Sequence, residues 1–352
     1  MRKIATFCLS LLFLSSINIS SAQKSNITQV SNVFTEYEDT LKILGKNILH
    51  GKTDLDKYAA NEIFINLLEE ALCVSNSYEY PFDSLITIAR LVSPDNSFRI
   101  FNWNIPRTDG TYEYYGFIQK KSKKSNLTVI HRLKDSSDEI ENPELKTLSC
   151  DNWYGAHYYK IILTKVKSKK YYTILGWDGN NLISTKKIIE ILSFDSKGEP
   201  KFGYSLFKCD RRGIKRYFFE YSADVSMSLK YEEQSYDIVK KSPRRKVKKL
   251  KSSNTKNFRS IKKDNVKYKK GKKKKEKSVM IIFDHLSPLD PKCVGMYNFY
   301  VPETNVFDAF VFKNNKWRFY EDVDARNPEI PDDTDAKPKK KIEYNLFPEK
   351  DE

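Results

Sequence analysis

From Ile27 the apolar positions fall at steps of three and four: Ile27, Val30, Phe34, Tyr37, Leu41 and Leu44. One face of an α-helix repeats at that interval, so the spacing predicts an amphipathic helix ending near Gly45 or Gly51. A second helix is expected to open at Thr53, where Asp56 stands three residues on in a capping-box arrangement. Its inner face would be Leu55, Ala59, Ile63, Leu67 and Ala71. A third, shorter helix capped by Asp83 is expected through Leu85, Ile88, Ala89 and Val92, stopped by Ser93-Pro94-Asp95.

From about residue 97 the texture changes to short aromatic and β-branched runs separated by turn residues. The runs are 98–103, 112–119, 127–133, 158–166, 171–177, 188–194, 202–207, 214–221, 278–283, 297–301, 307–312 and 317–323. Asp109-Gly110, Asp178-Gly179-Asn180-Asn181, Ser196-Lys197-Gly198 and Asn314-Asn315 read as hairpin turns, because Gly, Asn and Asp tolerate the positive φ that tight hairpins need. Many strands with little helix between them predict antiparallel pairing, as a sandwich, open barrel or meander. The expected class is α+β: a helical unit over 23–95, then a mostly antiparallel β domain over 97–327.

The chain begins differently. Met1-Arg2-Lys3 precedes an apolar run from residue 4 to 19, and Ser20-Ser21-Ala22 follows. Positive charge, a short apolar core and small residues make a secretory signal cleaved after Ala22. The run is broken by Ser10, Ser15, Ser16 and Asn18, which weighs against a spanning helix. The expectation is an exported protein, periplasmic or secreted, with no transmembrane segment once mature.

Charge sharpens the organisation. The formal charge of the 352 residues is +16, which suggests a nucleic-acid binder until its distribution is read. Residues 240–277 hold twenty Lys or Arg against Asp264 and Glu276, which leaves the rest of the mature chain at −4. One segment carries the basic character. It has too few large apolar residues to fold alone and reads as a long disordered insertion between two strands. Arg244, Arg245, Lys246, Lys248, Lys249, Lys272, Lys273, Lys274 and Lys275 are its candidate polyanion-binding residues, for an anionic polymer or membrane surface. The tail, 328–352, with Pro328, Pro331 and Pro338 among acids and lysines, also reads as disordered.

Candidate chemistry is sparse. Cys73, Cys150, Cys209 and Cys293 would survive cleavage; export permits at most two disulfides, and the alternative is four free thiols. There is no CxxC pair, no phosphate-binding glycine loop, no nucleophile elbow and no HExxH, so no metal or cofactor is expected. Asp284-His285, at the end of the run 279–283, could be an acid/base pair, although neighbours on a strand face opposite ways and each would need other partners. The plainer reading is a hydrogen-bonded turn histidine. Asp322, Asp324 and Arg326 alternate on one face, either as paired carboxylates or as a salt-bridge cluster. Asp178 has oxygen-rich neighbours but no EF-hand pattern and reads as a hairpin residue. His157 reads as packed.

Gly176-Trp177-Asp178-Gly179-Asn180-Asn181, Phe283-Asp284-His285-Leu286-Ser287-Pro288 and Glu321-Asp322-Val323-Asp324-Ala325-Arg326-Asn327 resemble recurring blocks of a family of exported bacterial proteins. The resemblance implies an envelope or secreted location. It supplies no activity, cofactor or catalytic residue, and it makes 240–277 an insertion peculiar to this chain. Two functions remain in competition. One is a non-enzymatic binding or structural module. The other is an envelope-polymer hydrolase using Asp284, His285, Asp322 or Asp324, and it requires those side chains to converge on one cleft.

Overall fold

The structure, a computed structural model, describes residues 33–122, 127–239 and 273–323. Residues 1–32, which include the expected signal segment, the basic residues Arg244, Arg245, Lys246, Lys248, Lys249 and Lys272, Asp324, Arg326 and the tail therefore lie outside the described residues.

Two helices come first. Helix α1 is helical from residue 33 to 50, and its Phe34, Leu41 and Ile48 are buried. Helix α2 spans Asp54–Cys73 and opens with the expected reciprocal cap: Thr53 Oγ1 accepts from the Asp56 N–H, and Asp56 accepts from the Thr53 N–H. Its buried face differs from the expected one. Ala60, Phe64, Leu68 and Leu72 point inward, while Leu55 and Ile63 are exposed. The helix carries two apolar stripes, and the large ring decides between them. Phe64 packs edge-on against Trp103 at 4.9 Å, and Asn61 accepts the indole N–H at 2.7 Å.

The expected third helix does not form. Residues 83–88 are turns, and Ala89–Val92 is strand β1, paired antiparallel with β2. Asp83 caps nothing; it binds Arg90 at 2.8 Å. Leu85 and Ile88 do reach the helix-side core, so the apolar periodicity was real, but pairing with a neighbouring strand overrode it.

The remaining strands make three sheets. The first is the meander β1-β2-β3-β4, with β2 at Phe98–Pro106, β3 at Tyr112–Lys121 and β4 at Thr128–Lys134. The second runs β10-β7-β6-β5, from β5 (His157–Val166), β6 (Lys169–Asp178), β7 (Ser184–Phe194) and β10 (Tyr217–Ser222), with β8 (Pro200–Phe202) beside β7. The third runs β11-β12-β13-β14-β9, from β9 (Phe207–Lys208), β11 (Leu229–Val239), β12 (Lys273–Pro288), β13 (Tyr300–Lys313) and β14 (Lys316–Tyr320). All strand pairs with a described register are antiparallel except the two-residue pairing of β14 with β9. The α+β class is as expected, and all four hairpin turns named from the sequence fall between paired strands.

Burial follows strand parity and stacks the layers. Phe101, Trp103, Ile105 and Phe117 of the first sheet meet the helices. Phe98, Ile100, Tyr114 and Ile118, on its other face, meet Tyr172, Ile174, Ile188 and Leu192 of the second. Tyr171, Leu175, Ile189 and Ile191, on the far face of the second, meet Ile281, Phe283, Phe310 and Trp317 of the third. The order is helices, sheet, sheet, sheet, and the two inner sheets are covered on both faces, which explains the nearly continuous burial of β2, β6 and β7.

Three boundaries moved. The run 202–207 divides: Phe202 stays in the second sheet, and Gly203, at φ 92°, turns the chain so that Phe207 joins the third. The runs 297–301 and 307–312 belong largely to one strand, β13. Strand β12 starts at Lys273, before the apolar run, so Lys273, Lys274 and Lys275 lie in a strand and not in a disordered insertion. Pairing with β11 supplies backbone partners there whatever the side chains are. Cys73, Cys150, Cys209 and Cys293 are all free thiols, so no described disulfide forms, although Cys73 is exposed and not a core residue.

One tight contact fixes the entry to the second sheet. The Asp135 carboxylate accepts the N–H groups of Tyr114, Ser137 and Gly155, and burial pushes its pKa up while those donors oppose the rise. A Cβ on Gly155 would stand 2.4 Å from that carboxyl carbon. Gly155→Ala is expected to cost about 2 kcal/mol by overpacking, read as a lower urea midpoint with an unchanged slope.

Candidate functional site

Strand β10 is the end strand of the second sheet, and two cavities meet along it. The larger, about 310 Å³, is lined by Pro143, Glu144, Tyr154, Lys186, Arg211, Phe218, Glu220 and Tyr297. The other, about 220 Å³, lies between β10 and the third sheet and includes Tyr217, Phe283, Asp284, His285, Tyr300, Asp308 and Phe319. Arg211, Phe218, Glu220 and Tyr297 line both, so the two form one cleft.

The sheet register places His285. Phe283 pairs with Asp308 and Asp284 with Phe307, but Leu286 pairs with Pro302. Residues 303–306 of β13 are therefore looped out opposite His285, which leaves regular pairing while keeping the face of Phe283 and Asp308. The result is a contact of 2.7 Å between His285 Nδ1 and Asp308 Oδ2. Asp308 is almost fully buried in the otherwise apolar run 306–312 of β13, and its Oδ1 accepts the Asp322 N–H at 3.2 Å. His285 is half-exposed to the cleft.

The other candidates divide. Asp284 points the opposite way from His285, as adjacency on a strand requires. Its carboxylate accepts the Ser228 N–H at 2.7 Å while its own N–H donates to Ser228 O. Both still reach the wall of the same cavity. Asp322 enters through its backbone alone; its side chain is exposed and lines neither cavity. Asp322 therefore gives the cleft no carboxylate, and Asp324 lies outside the described residues.

The second half of the cleft is a polar chain behind an aromatic wall. Asp178 accepts the Tyr114 hydroxyl at 3.0 Å and the Tyr154 hydroxyl at 3.1 Å. Burial pushes its pKa up, against the Lys186 charge and those donors. Burial and Asp178 likewise hold the Tyr154 phenol well above its usual range. Lys186 Nζ donates to Asn180 Oδ1 at 2.8 Å, Asn180 donates to Ser184 Oγ, and Ser184 donates to Glu220 at 2.7 Å. Asp178 is a hairpin anchor, and among the described residues no group of three His, Cys, Asp or Glu could hold a metal ion. Tyr154 stacks edge-on against Phe218 at 4.8 Å, and Tyr297 lies 5.1 Å from Tyr300. Arg211 sits over the Tyr217 ring at 5.0 Å; burial raises the Tyr217 pKa and Arg211 opposes it.

Sequence reasoning missed Asp308, Arg211, Glu220 and Tyr297. For Asp308 a signal existed: it is the lone acid in Val306-Phe307-Asp308-Ala309-Phe310-Val311-Phe312, and a carboxylate in such a run needs a partner. His157 is half-buried, its Nδ1 has no partner among the described residues, and burial lowers its pKa; it is packed, as expected. Among the described residues no helix is long and apolar enough to cross a membrane. No family model, no curated protein and no solved structure matches the chain.

Proposed function

We infer that this is an exported binding module whose cleft along β10 holds a segment of an envelope saccharide. The observation that carries the reading is Tyr297, 51 % exposed and shared by both cavities, backed by Tyr300, Tyr154 and Phe218. A sugar ring offers an apolar face to an aromatic plane and hydroxyls to its rim, and Glu144, Glu220, Lys186 and Arg211 are charged groups of both signs around that plane. Export rests on the residues of the signal segment; the intact mass of the mature protein is expected to begin at Gln23.

The basic segment is a separate contact in this reading. Lysines and arginines between β11 and β12 draw the protein to anionic polymers or an anionic membrane face, with a strong salt dependence. Retention on an immobilised digest of envelope polysaccharide tests both. Tyr297→Ala is expected to weaken retention at least tenfold at 0.5 M salt, where screening removes most of the charge contribution. Deleting 243–272 is expected to change retention only at low salt. Equal retention of Tyr297→Ala and the parent at high salt would remove the cleft from the account. A hydrolytic reading has one observation in its favour, the His285–Asp308 pair.

A further inference from the structure

We propose that the cleft is also a catalytic site, in which His285, oriented by Asp308, is a general base that directs water at an ester carbonyl. The substrate class is an O-acylated saccharide, a choice that rests on the reading of the aromatic wall as a sugar site.

The orientation of the imidazole comes first. Asp308 Oδ1 is taken by the Asp322 N–H, and Oδ2 faces His285 Nδ1 at 2.7 Å. A buried carboxylate at that distance keeps the proton on Nδ1, so Nε2 carries the lone pair. Nε2 has no hydrogen-bond partner among the described residues, and the ring is half-exposed in a cavity of about 220 Å³. Unlike the unpartnered Nδ1 of His157, which is buried, the His285 ring lines the same cavity as Tyr300 and Arg211.

The lining then selects the chemistry. No Ser, Thr or Cys lines either cavity, so a covalent acyl intermediate on a hydroxyl or thiol has no residue to form on. Glycoside cleavage needs two carboxyl groups free to flank the bond, one of them protonated. Of the acids lining the cleft, Asp308 is occupied by His285 and Asp322, Asp284 by the Ser228 N–H and Glu220 by the Ser184 hydroxyl, which leaves Glu144 as a single carboxyl where two are needed. Ester hydrolysis by directly attacking water needs only one base and one positive group. Nε2 takes a proton from water as the water oxygen bonds to the carbonyl carbon, and the carbonyl π pair moves to oxygen. Arg211, the arginine among the residues lining the His285 cavity, is the cation assigned to that oxyanion. Collapse breaks the bond to the alcohol oxygen, which takes the proton back from Nε2–H. The products are a carboxylic acid and a free hydroxyl, with no oxidation or reduction.

The test uses the chain from Gln23 onward and p-nitrophenyl acetate as probe. Hydrolysis above the buffer rate is expected. His285→Ala and His285→Gln are each expected to lose at least tenfold, the second guarding against misfolding of the first. His50→Ala, which removes an exposed histidine on α1, is expected to leave the rate unchanged. Asp308→Asn is expected to lower the rate, and Asp308→Glu, which keeps a carboxylate for Nδ1, to recover part of it. That rescue is what a merely structural role for Asp308 would not produce. A rate in folded His285→Gln equal to the parent, or no hydrolysis above buffer by the parent, overturns the proposal. The probe carries no sugar, so its hydrolysis reports on His285 and retention of the envelope digest reports on the aromatic wall. Each reading thus fails on its own measurement.

Discussion

Arg216→Met is expected to lower unfolding free energy by about 3–5 kcal/mol at pH 7.5. Arg216 and Glu190 are both fully buried, joined by Nε to the carboxylate, on the face of the second sheet turned toward the first. Arg216 also donates to Pro143 O, and its remaining Nη2 has no partner among the described residues. Burial pushes the Glu190 pKa up, against Arg216 and the N–H groups of Ile191 and Gly203. Removing the guanidinium leaves a carboxylate with little to offset its desolvation. A carboxyl whose folded pKa is raised is most favourable to folding below its unfolded value and loses that contribution as pH rises through the folded one. The deficit of Arg216→Met should therefore shrink as pH falls toward the ordinary Glu range. Glu190→Gln in the same chain should recover much of the loss at pH 7.5. Urea unfolding of the three variants at two pH values checks the sign and the coupling.

Trp317→Ala is expected to cost about 3–5 kcal/mol, the range for removing a buried large aromatic ring. Trp317 stands on β14, and its indole N–H crosses to Thr173 Oγ1 of β6 at 2.9 Å. Its ring packs at 5.2 Å from Phe312, and its backbone N–H donates to Leu206 O. It is thus a tie between the second and third sheets, and the smaller cavity of the cleft lies between β10 and the third sheet. Trp317→Phe keeps most of the apolar volume but leaves Thr173 without that donor, and is expected to cost about 1–2 kcal/mol. If the tie holds the cleft, Trp317→Ala should also weaken retention of the envelope digest under conditions where the protein is still folded.

These two residues show how the sequence and the structure divide the information. Local rules were legible. Thr53 and Asp56 announced the start of α2, and Asp109-Gly110 and Asn314-Asn315 announced hairpins, because those chemistries act within a few residues. What depends on a distant partner was not. Leu55 and Ile63 look as apolar as Phe64 and Leu68, and only the position of Trp103 chooses between them. Ala89–Val92 fits a helix until β2 lies beside it. The site behaves alike. His285 and Asp284 were visible as a pair, yet the partner of His285 is Asp308, 23 residues on, brought there by the register of β12 with β13. The cleft itself follows from the stacking of the third sheet on the second, which no short run of residues encodes.

The central claim is that the cleft along β10 is where a ligand sits. Mapping amide and aromatic chemical shifts of the mature protein during titration with soluble envelope saccharide fragments tests it most directly. The expected result is saturable perturbation at Tyr297, Tyr300, Phe218 and His285, with α1, α2 and the first sheet unchanged. Perturbation confined to the helices or the first sheet, or none at any residue of the cleft, would contradict the account.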